Sequence, residues 1–241
     1  MVHSAHLASK LELTNKKAVL FDVGGTLIEP RPSVGDMYAS IGKRYGLRAR
    51  GAELERVFDE KFMRREREAA LIAPDTERQW WRTLVASVVE PFGGVTDFDA
   101  YFDELYAYFA RPEAWYVFPD ALALLDALRA RRIAMGVVSN WDSRLIPLCE
   151  QLGLAAYMRT MAVSAHEGCA KPDKALFLRA LERLGAAPAE AMHVGDSIEM
   201  DWQGARNAGI EAVIVDRQGK ISDSRVTTVR SLCSLLSANT K

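Results

Sequence analysis

Two aspartates, a serine–asparagine pair and a lysine stand where apolar runs of the sequence end or just beyond them. Asp22 closes Ala18-Val19-Leu20-Phe21, Ser139-Asn140 closes a run beginning at Ile133, and Asp196 closes Ala191-Met192-His193-Val194-Gly195. Lys171 follows the short run Thr160-Met161-Ala162-Val163. One polar residue at the end of a run is unremarkable; two carboxylates, a hydroxyl and a lysine on separate runs form a chemical set. Carboxylates brought together repel, and each has its pKa raised unless a cation intervenes. Magnesium, which takes oxygen ligands and commonly one or two carboxylates plus substrate phosphate, fits that need. Lys171 would neutralise further charge and hold a transferring phosphoryl group, with Ser139 and Asn140 donating hydrogen bonds to its oxygens. A carboxylate held this way is a candidate nucleophile.

The runs that carry these residues are short and do not alternate, which is the pattern of strands buried on both faces of a parallel sheet. From residue 119 onward they alternate with helical stretches, expected at 120–131, 144–152, 172–184 and 200–208. That βαβ order implies a doubly wound α/β sheet with right-handed crossovers, and ligands in such sheets bind beyond the carboxyl ends of the strands. Between the first run and residue 115 the texture differs. Four helical stretches, at 34–45, 52–71, 76–89 and 98–109, follow one another with breakers between them and no strand. Asp75 would cap the third of these. The expected fold is therefore α/β, a Rossmann-like parallel sheet of five or six strands over residues 16–29 and 116–236. A helical bundle over residues 30–115 is inserted into it, after a flexible leader at 1–15.

Composition sets the outer limits. The chain of 241 residues is 49% hydrophobic and 26% charged with a formal net charge of −1. This suits a soluble globular protein and gives no electrostatic reason to expect nucleic acid or an anionic membrane as partner. No stretch approaches the roughly 20 apolar residues needed to span a bilayer. Cys149, Cys169 and Cys233 are odd in number and form no CxxC pair, so a zinc site is not expected and a reducing, cytoplasmic compartment is. A monomer or weak dimer acting on a small phosphorylated molecule is the matching expectation.

Phe21-Asp22-Val23-Gly24-Gly25-Thr26-Leu27 resembles the first motif of the haloacid dehalogenase-like superfamily, Asp-x-Asp-Gly-Thr-Leu. Val138-Ser139-Asn140 resembles the second motif, Lys171-Pro172-Asp173 the third, and Val194-Gly195-Asp196-Ser197 through Asp201 the fourth, in the family's order. Ser139-Asn140-Trp141-Asp142-Ser143-Arg144-Leu145 and Gln79-Trp80-Trp81 are similar to the branch of haloacid dehalogenase-like hydrolase domain-containing protein three and its bacterial relatives. The resemblance implies that Asp22 is nucleophile and magnesium ligand, that the Gly24 carbonyl and Asp196 complete the protein ligands, and that Asp201 supports the metal or Lys171. It implies phosphate binding by Ser139, Asn140, Lys171 and the Gly25-Thr26 turn. The inserted helices would be the family's cap, closing over the site to exclude water and choose substrate.

One departure matters. Phosphatases of the family carry an aspartate two residues after the nucleophile, which protonates the leaving alcohol; here that position is Gly24. General acid–base catalysis contributes about 10²–10⁴-fold, so a weak or substrate-restricted phosphatase is expected. Asp142 is a substitute acid on this view, weighed against a plainer role as cap of the next helix. The alternative is a protein that binds magnesium and phosphate without turnover. Dehalogenase chemistry ranks below both, because family dehalogenases usually put an aromatic residue at the Gly24 position and lack the acid equivalent to Asp196. The aromatics of the inserted helices, Phe58, Phe62, Trp80, Trp81, Tyr101, Phe102, Tyr106, Phe109 and Trp115, are expected chiefly to fill a bundle core. Arg64, Arg65 and Arg67 read as a solvated face, His166 as a loop residue, His193 as packed at the core edge and Cys169 as a small loop residue.

Overall fold

The computed structural model describes residue 13, residues 16–68 and residues 76–236, with the backbone alone for 65–68. The expectations for Asp75, for the solvated face at Arg65 and Arg67, and for the leader lie outside the described residues. The exception is Leu13, which is buried in the core.

The strands are β1 (Ala18–Phe21), β2 (Ile28–Pro30), β3 (Trp115–Val117), β4 (Ala134–Ser139), β5 (Thr160–Val163), β6 (Ala191–Gly195), β7 (Glu211–Val215) and β8 (Thr228–Val229). Six of them form one sheet in the order β5-β4-β1-β6-β7-β8, every pair parallel. Every residue of β1, β4 and β6 is buried. Apolar cover on both faces of the sheet is why these strands lack alternation. The helices are α1 (Val34–Gly42), α2 (Gly51–Glu68), α3 (Glu77–Val89), α4 (Phe98–Tyr108), α5 (Pro119–Ala130), α6 (Leu145–Gln151), α7 (Ser164–Glu167), α8 (Lys174–Leu184) and α9 (Gly204–Asn207). Leu124, Leu125 and Leu128 of α5 pack on one face of the sheet with Val19, Phe21 and Val137. Phe177 and Leu181 of α8 pack on the other with Leu20 and Val138.

Helices α1–α4 build a third core of their own around Tyr38, Leu54, Leu84, Tyr101, Phe102 and Leu105. Ser33 caps α1 by accepting from Asp36 N, and Asp97 caps α4 by accepting from Ala100 N. This helical layer joins the sheet through β2 and β3, an antiparallel ribbon pairing Ile28 with Val117 and Pro30 with Trp115. Strands of three residues are too short for a periodic signal, and nothing in the residue pattern announces either. Asp173 caps α8 by accepting from Ala175 N, so that helix starts at Lys174 rather than at 172. The helix expected at 200–208 starts early, as a widened turn over Ile198–Gln203 capped by Ser197. Both Asp201 N and Trp202 N donate to Ser197 O there. Such π-helical turns often mark functional sites, and this one faces the carboxyl ends of β1 and β6.

Candidate active site

β1, β4 and β6 lie side by side, so Asp22, Ser139 and Asp196 meet at one end of the sheet. Ser139 Oγ donates to Asp22 Oδ1 at 2.9 Å, and Lys171 Nζ donates to the same oxygen at 2.6 Å. Both contacts fall on Oδ1, and among the described residues nothing donates to Oδ2. Lys171 Nζ also reaches Asp201 Oδ1 at 2.7 Å. Asp22, Ser139, Lys171 and Asp201 are all buried.

Asp201 organises this floor. Its Oδ1 takes Lys171 and lies 2.8 Å from His193 Nε2, while its Oδ2 accepts from Asp196 N and Ser197 N at 3.2 and 3.0 Å. With both oxygens engaged, Asp201 holds Lys171 and the main chain at 196–197 in place. Gly195 is what lets it in: a Cβ there would lie 2.2 Å from Asp201 Cγ. Gly25 does the same for Asp196, whose Oδ2 would sit 2.2 Å from a Cβ at a position that also has φ +73°. At both places side-chain absence is a requirement of close approach. His193 is fully buried, edge-on to the Phe177 ring at 5.0 Å.

The electrostatics follow from crowding. Burial raises the Asp22 pKa, Lys171 pulls it down, Asp201 pushes it up again, and the net direction is upward. Burial alone would lower that of Lys171, but the charges of Asp201 and Asp22 outweigh it and hold an ammonium there. Burial would raise Asp201, yet Lys171 and His193 keep it well below the usual carboxylate range. Dense packing around the Asp196 carboxyl, then the charges of Asp22 and Asp201, push its pKa well up. Asp196 is nevertheless exposed to solvent, and an exposed carboxylate keeps much of its water, so the neighbouring charges are the better explanation. Oxygens of Asp22, Asp196 and Asp201 come within 4.8 Å of one another, three carboxylates against one lysine. An all-oxygen, net-negative donor set of this kind suits a hard divalent cation such as magnesium.

Two expected site residues have other neighbours than a phosphate. Asn140 Oδ1 accepts from Lys171 N at 2.7 Å, and its Nδ2 donates to Lys171 O at 3.0 Å. The amide is thus committed to the main chain of Lys171 and fixes that loop. Thr26 is fully buried, and its hydroxyl has no partner among the described residues.

Asp142, weighed as a substitute acid against a helix cap, has both carboxylate oxygens engaged just ahead of α6. It is fully buried, and α6 begins after Arg144 with no side-chain cap. Oδ1 of Asp142 accepts from Arg144 N and Nε, both at 2.9 Å; Oδ2 accepts from an Arg144 terminal nitrogen and from Trp81 Nε1, both at 2.6 Å. Arg144 in turn donates to Tyr106 O at 2.9 Å and lies 3.7 Å over the Tyr106 ring. Beside it, Glu77 accepts from Ser143 N at 2.8 Å and from the Ser143 hydroxyl. Residues 142–144 therefore tie the sheet to α3 and α4. Trp81, Glu77 and Arg144 are participants to which sequence reasoning gave no role here; the Trp80-Trp81 pair and the 139–145 segment carried a resemblance, and Glu77 carried none.

Gly24 has a neighbour too. A Cβ there would lie 3.1 Å from the Trp141 ring, which packs in turn against Trp115 at 5.1 Å. The expected bundle-core aromatics serve two surfaces. Tyr101 is buried in the helical core, whereas Phe58, Phe62, Trp80, Trp81, Phe102 and Tyr106 belong to or pack on that core and also border a cavity of about 250 Å³. Its floor includes Gly24, Asn140 and Ala170, each within two residues of Asp22, Ser139 or Lys171. His166 is exposed, and Cys169 is buried, with burial raising its thiol pKa. Among the described residues no helix is long and apolar enough to cross a membrane.

The family model that matches residues 16–209 describes a haloacid dehalogenase-like hydrolase. The chain is 33% identical over 215 residues to haloacid dehalogenase-like hydrolase domain-containing protein 3 of Mus musculus, covering 87% of this chain and 84% of that one. Among solved structures it is similar to an HAD phosphatase from Thermococcus onnurineus, with TM-score 0.65 and 24% identity over 92% of this chain and 96% of that one. It is also similar to a 2-haloacid dehalogenase from Pseudomonas syringae, with TM-score 0.61 and 26% identity over 92% and 97%. Two chemistries share this architecture, so the fold cannot choose between them.

Proposed function

The chain belongs to the haloacid dehalogenase-like hydrolase family, and on that premise we propose that it is a magnesium-dependent phosphatase working through an aspartyl phosphate on Asp22. One observation carries the choice. Ser139 and Lys171 both hold Oδ1 of Asp22, which leaves Oδ2 as a nucleophile beside a carboxylate cluster that needs a cation. Asp22, Asp196 and the Gly24 carbonyl would hold that ion. Magnesium, when bound, offsets the carboxylates' charge and polarises the phosphate oxygens. Lys171 and Ser139 bind and orient the phosphoryl group, and Asn140 keeps Lys171 aimed by gripping its main chain. Asp201 fixes Lys171 from behind.

Residues 30–115 act as a cap in this account, with the Trp81–Asp142–Arg144 contacts as the seam that closes it over the sheet. The substrate is a small phosphorylated molecule. Buried, unpaired Cys149 and Cys169 are in keeping with action in a reducing, cytoplasmic setting.

The test is hydrolysis of para-nitrophenyl phosphate with magnesium or chelator, in wild type and Asp22→Asn. Turnover that needs magnesium and vanishes in the variant supports the proposal. Binding of magnesium and phosphate without turnover would favour a non-catalytic sensor. A second reading, halide displacement by Asp22, draws on the Trp141 ring standing against Gly24. Such a displacement needs no cation, and would leave Asp22 and Asp196 repelling each other. Halide released from 2-chloropropionate in the presence of chelator would revive it.

A further inference from the structure

The cavity above the acid cluster is apolar where a polar one would serve most phosphorylated metabolites. Phe62 stacks parallel to Trp81 at 6.0 Å and stands edge-on to Trp80 at the same distance. Trp80 is edge-on to Trp81 at 4.9 Å. Offset-stacked and edge-to-face rings of this kind form walls that favour another flat ring. A volume of about 250 Å³ exceeds the roughly 150 Å³ of an apolar cavity that admits benzene, so one substituted ring or a fused pair would fit.

Among the described residues the same cavity offers no proton donor matched to neutral pH. The space beside Gly24 is taken by Trp141. Asp142, the acid on its wall, has both oxygens engaged by Arg144 and Trp81. Tyr38 and Tyr106 also border it, and desolvation raises the pKa of each phenol, making them weaker acids still. A leaving oxygen must therefore depart as an anion. A phenol, with pKa about 10 like tyrosine, does so far more readily than an alcohol, which resembles water at about 15.7.

Missing acid and aromatic walls converge, and resting on the phosphatase reading above we propose that the substrate is an aryl phosphate: a phosphate monoester of an aromatic hydroxyl whose ring occupies this cavity. Asp22 Oδ2 attacks phosphorus, the bond between phosphorus and the aryl oxygen breaks, and the electron pair leaves on that oxygen. The phenolate takes its proton from water. A second water attacks the phosphorus of the aspartyl phosphate, its surplus proton passes to solvent, and Asp22 and inorganic phosphate are restored.

The experiment compares, with magnesium present, phenyl, 1-naphthyl and hexyl phosphates against acetyl phosphate, which has no ring. Aryl esters are expected to exceed hexyl phosphate by about 100-fold or more in kcat/KM, the scale of an absent general acid. Across substituted phenyl phosphates kcat/KM should fall as leaving-group pKa rises. Phe62→Ala, which opens the wall, and Val34→Phe, which fills the cavity that Val34 also borders, should each raise KM for 1-naphthyl phosphate about tenfold, equivalent to about 1.4 kcal/mol of lost binding. Acetyl phosphate, which has no ring for the cavity to hold, should lose far less than 1-naphthyl phosphate in both. Hexyl phosphate hydrolysed as fast as the aryl esters, with acetyl phosphate still turned over through Asp22, would overturn the aryl assignment and leave the phosphatase standing. Turnover of none of these compounds would remove both.

Discussion

The floor of the site and its roof are held in opposite ways. On the floor, Asp22, Ser139, Lys171, Asp201 and His193 form one chain of hydrogen bonds among buried groups. The roof is made of rings that border the cavity and touch one another, with Trp81 Nε1 bonded to the acid beneath it. A buried polar chain is sensitive to the loss of any member, because the partner left behind stays desolvated and unpaired. A ring wall fails by degrees, through area and shape. On the proposed function, reaction chemistry and substrate choice thus fall in parts of the molecule with different tolerances.

The sharpest way to break that contrast is at Lys171. Lys171→Met leaves Asp22 and Asp201 buried without their cation, and should cost about 3–5 kcal/mol of stability, read as a lower urea midpoint. Adding magnesium should recover part of the loss, because a bound ion neutralises the same carboxylates; no recovery would argue against a cation site there. Asp142→Asn should cost about 2–4 kcal/mol by weakening the buried pair with Arg144, since Asn keeps an acceptor for Trp81 but not the charge. Its turnover of para-nitrophenyl phosphate at saturating substrate should stay within a few-fold of wild type. A thousand-fold drop with unchanged stability would restore Asp142 as an acid.

Gly24→Asp probes the boundary between the two regions. The ring of Trp141, 3.1 Å from the new Cβ, has to shift before a carboxylate there can be useful. Alkyl phosphate turnover should therefore rise more in Gly24→Asp with Trp141→Ala than in Gly24→Asp alone. The smallest effect belongs away from both. Asp120 is held by Arg217, Ser231 and Leu232 N. Against desolvation that would raise it, those hydrogen bonds lower its pKa. A folded pKa below the unfolded one gives stability that is present above about pH 3.9 and is lost as pH falls through the folded value. Asp120→Asn should be less stable than wild type at pH 7, with the difference narrowing as pH falls below about 4 in urea melts.

How far the sequence could be read follows the same division. Asp22, Ser139 and Asp196 end apolar runs, and a parallel sheet brings the ends of adjacent strands together, so their meeting was legible. The helical stretch at 34–109 was legible from periodicity and breakers. Side-chain direction was not. Asn140 turns to the Lys171 main chain and Asp142 to Arg144 and Trp81, choices set by what packs across from them. Nor could the fate of the aromatics be read, since Tyr101 in the bundle core and Phe62 at the cavity share the same helical pattern. The β2–β3 ribbon was too short to announce itself.

The most direct test of Asp22 as nucleophile is intact-mass measurement of wild type and Asp22→Asn, acid-quenched during turnover of para-nitrophenyl phosphate with magnesium. The account predicts one phosphoryl group on wild type, labile to hydroxylamine as an acyl phosphate is, and none on the variant. Steady turnover with no covalent phosphate, or a phosphoryl group carried by another residue, would contradict it.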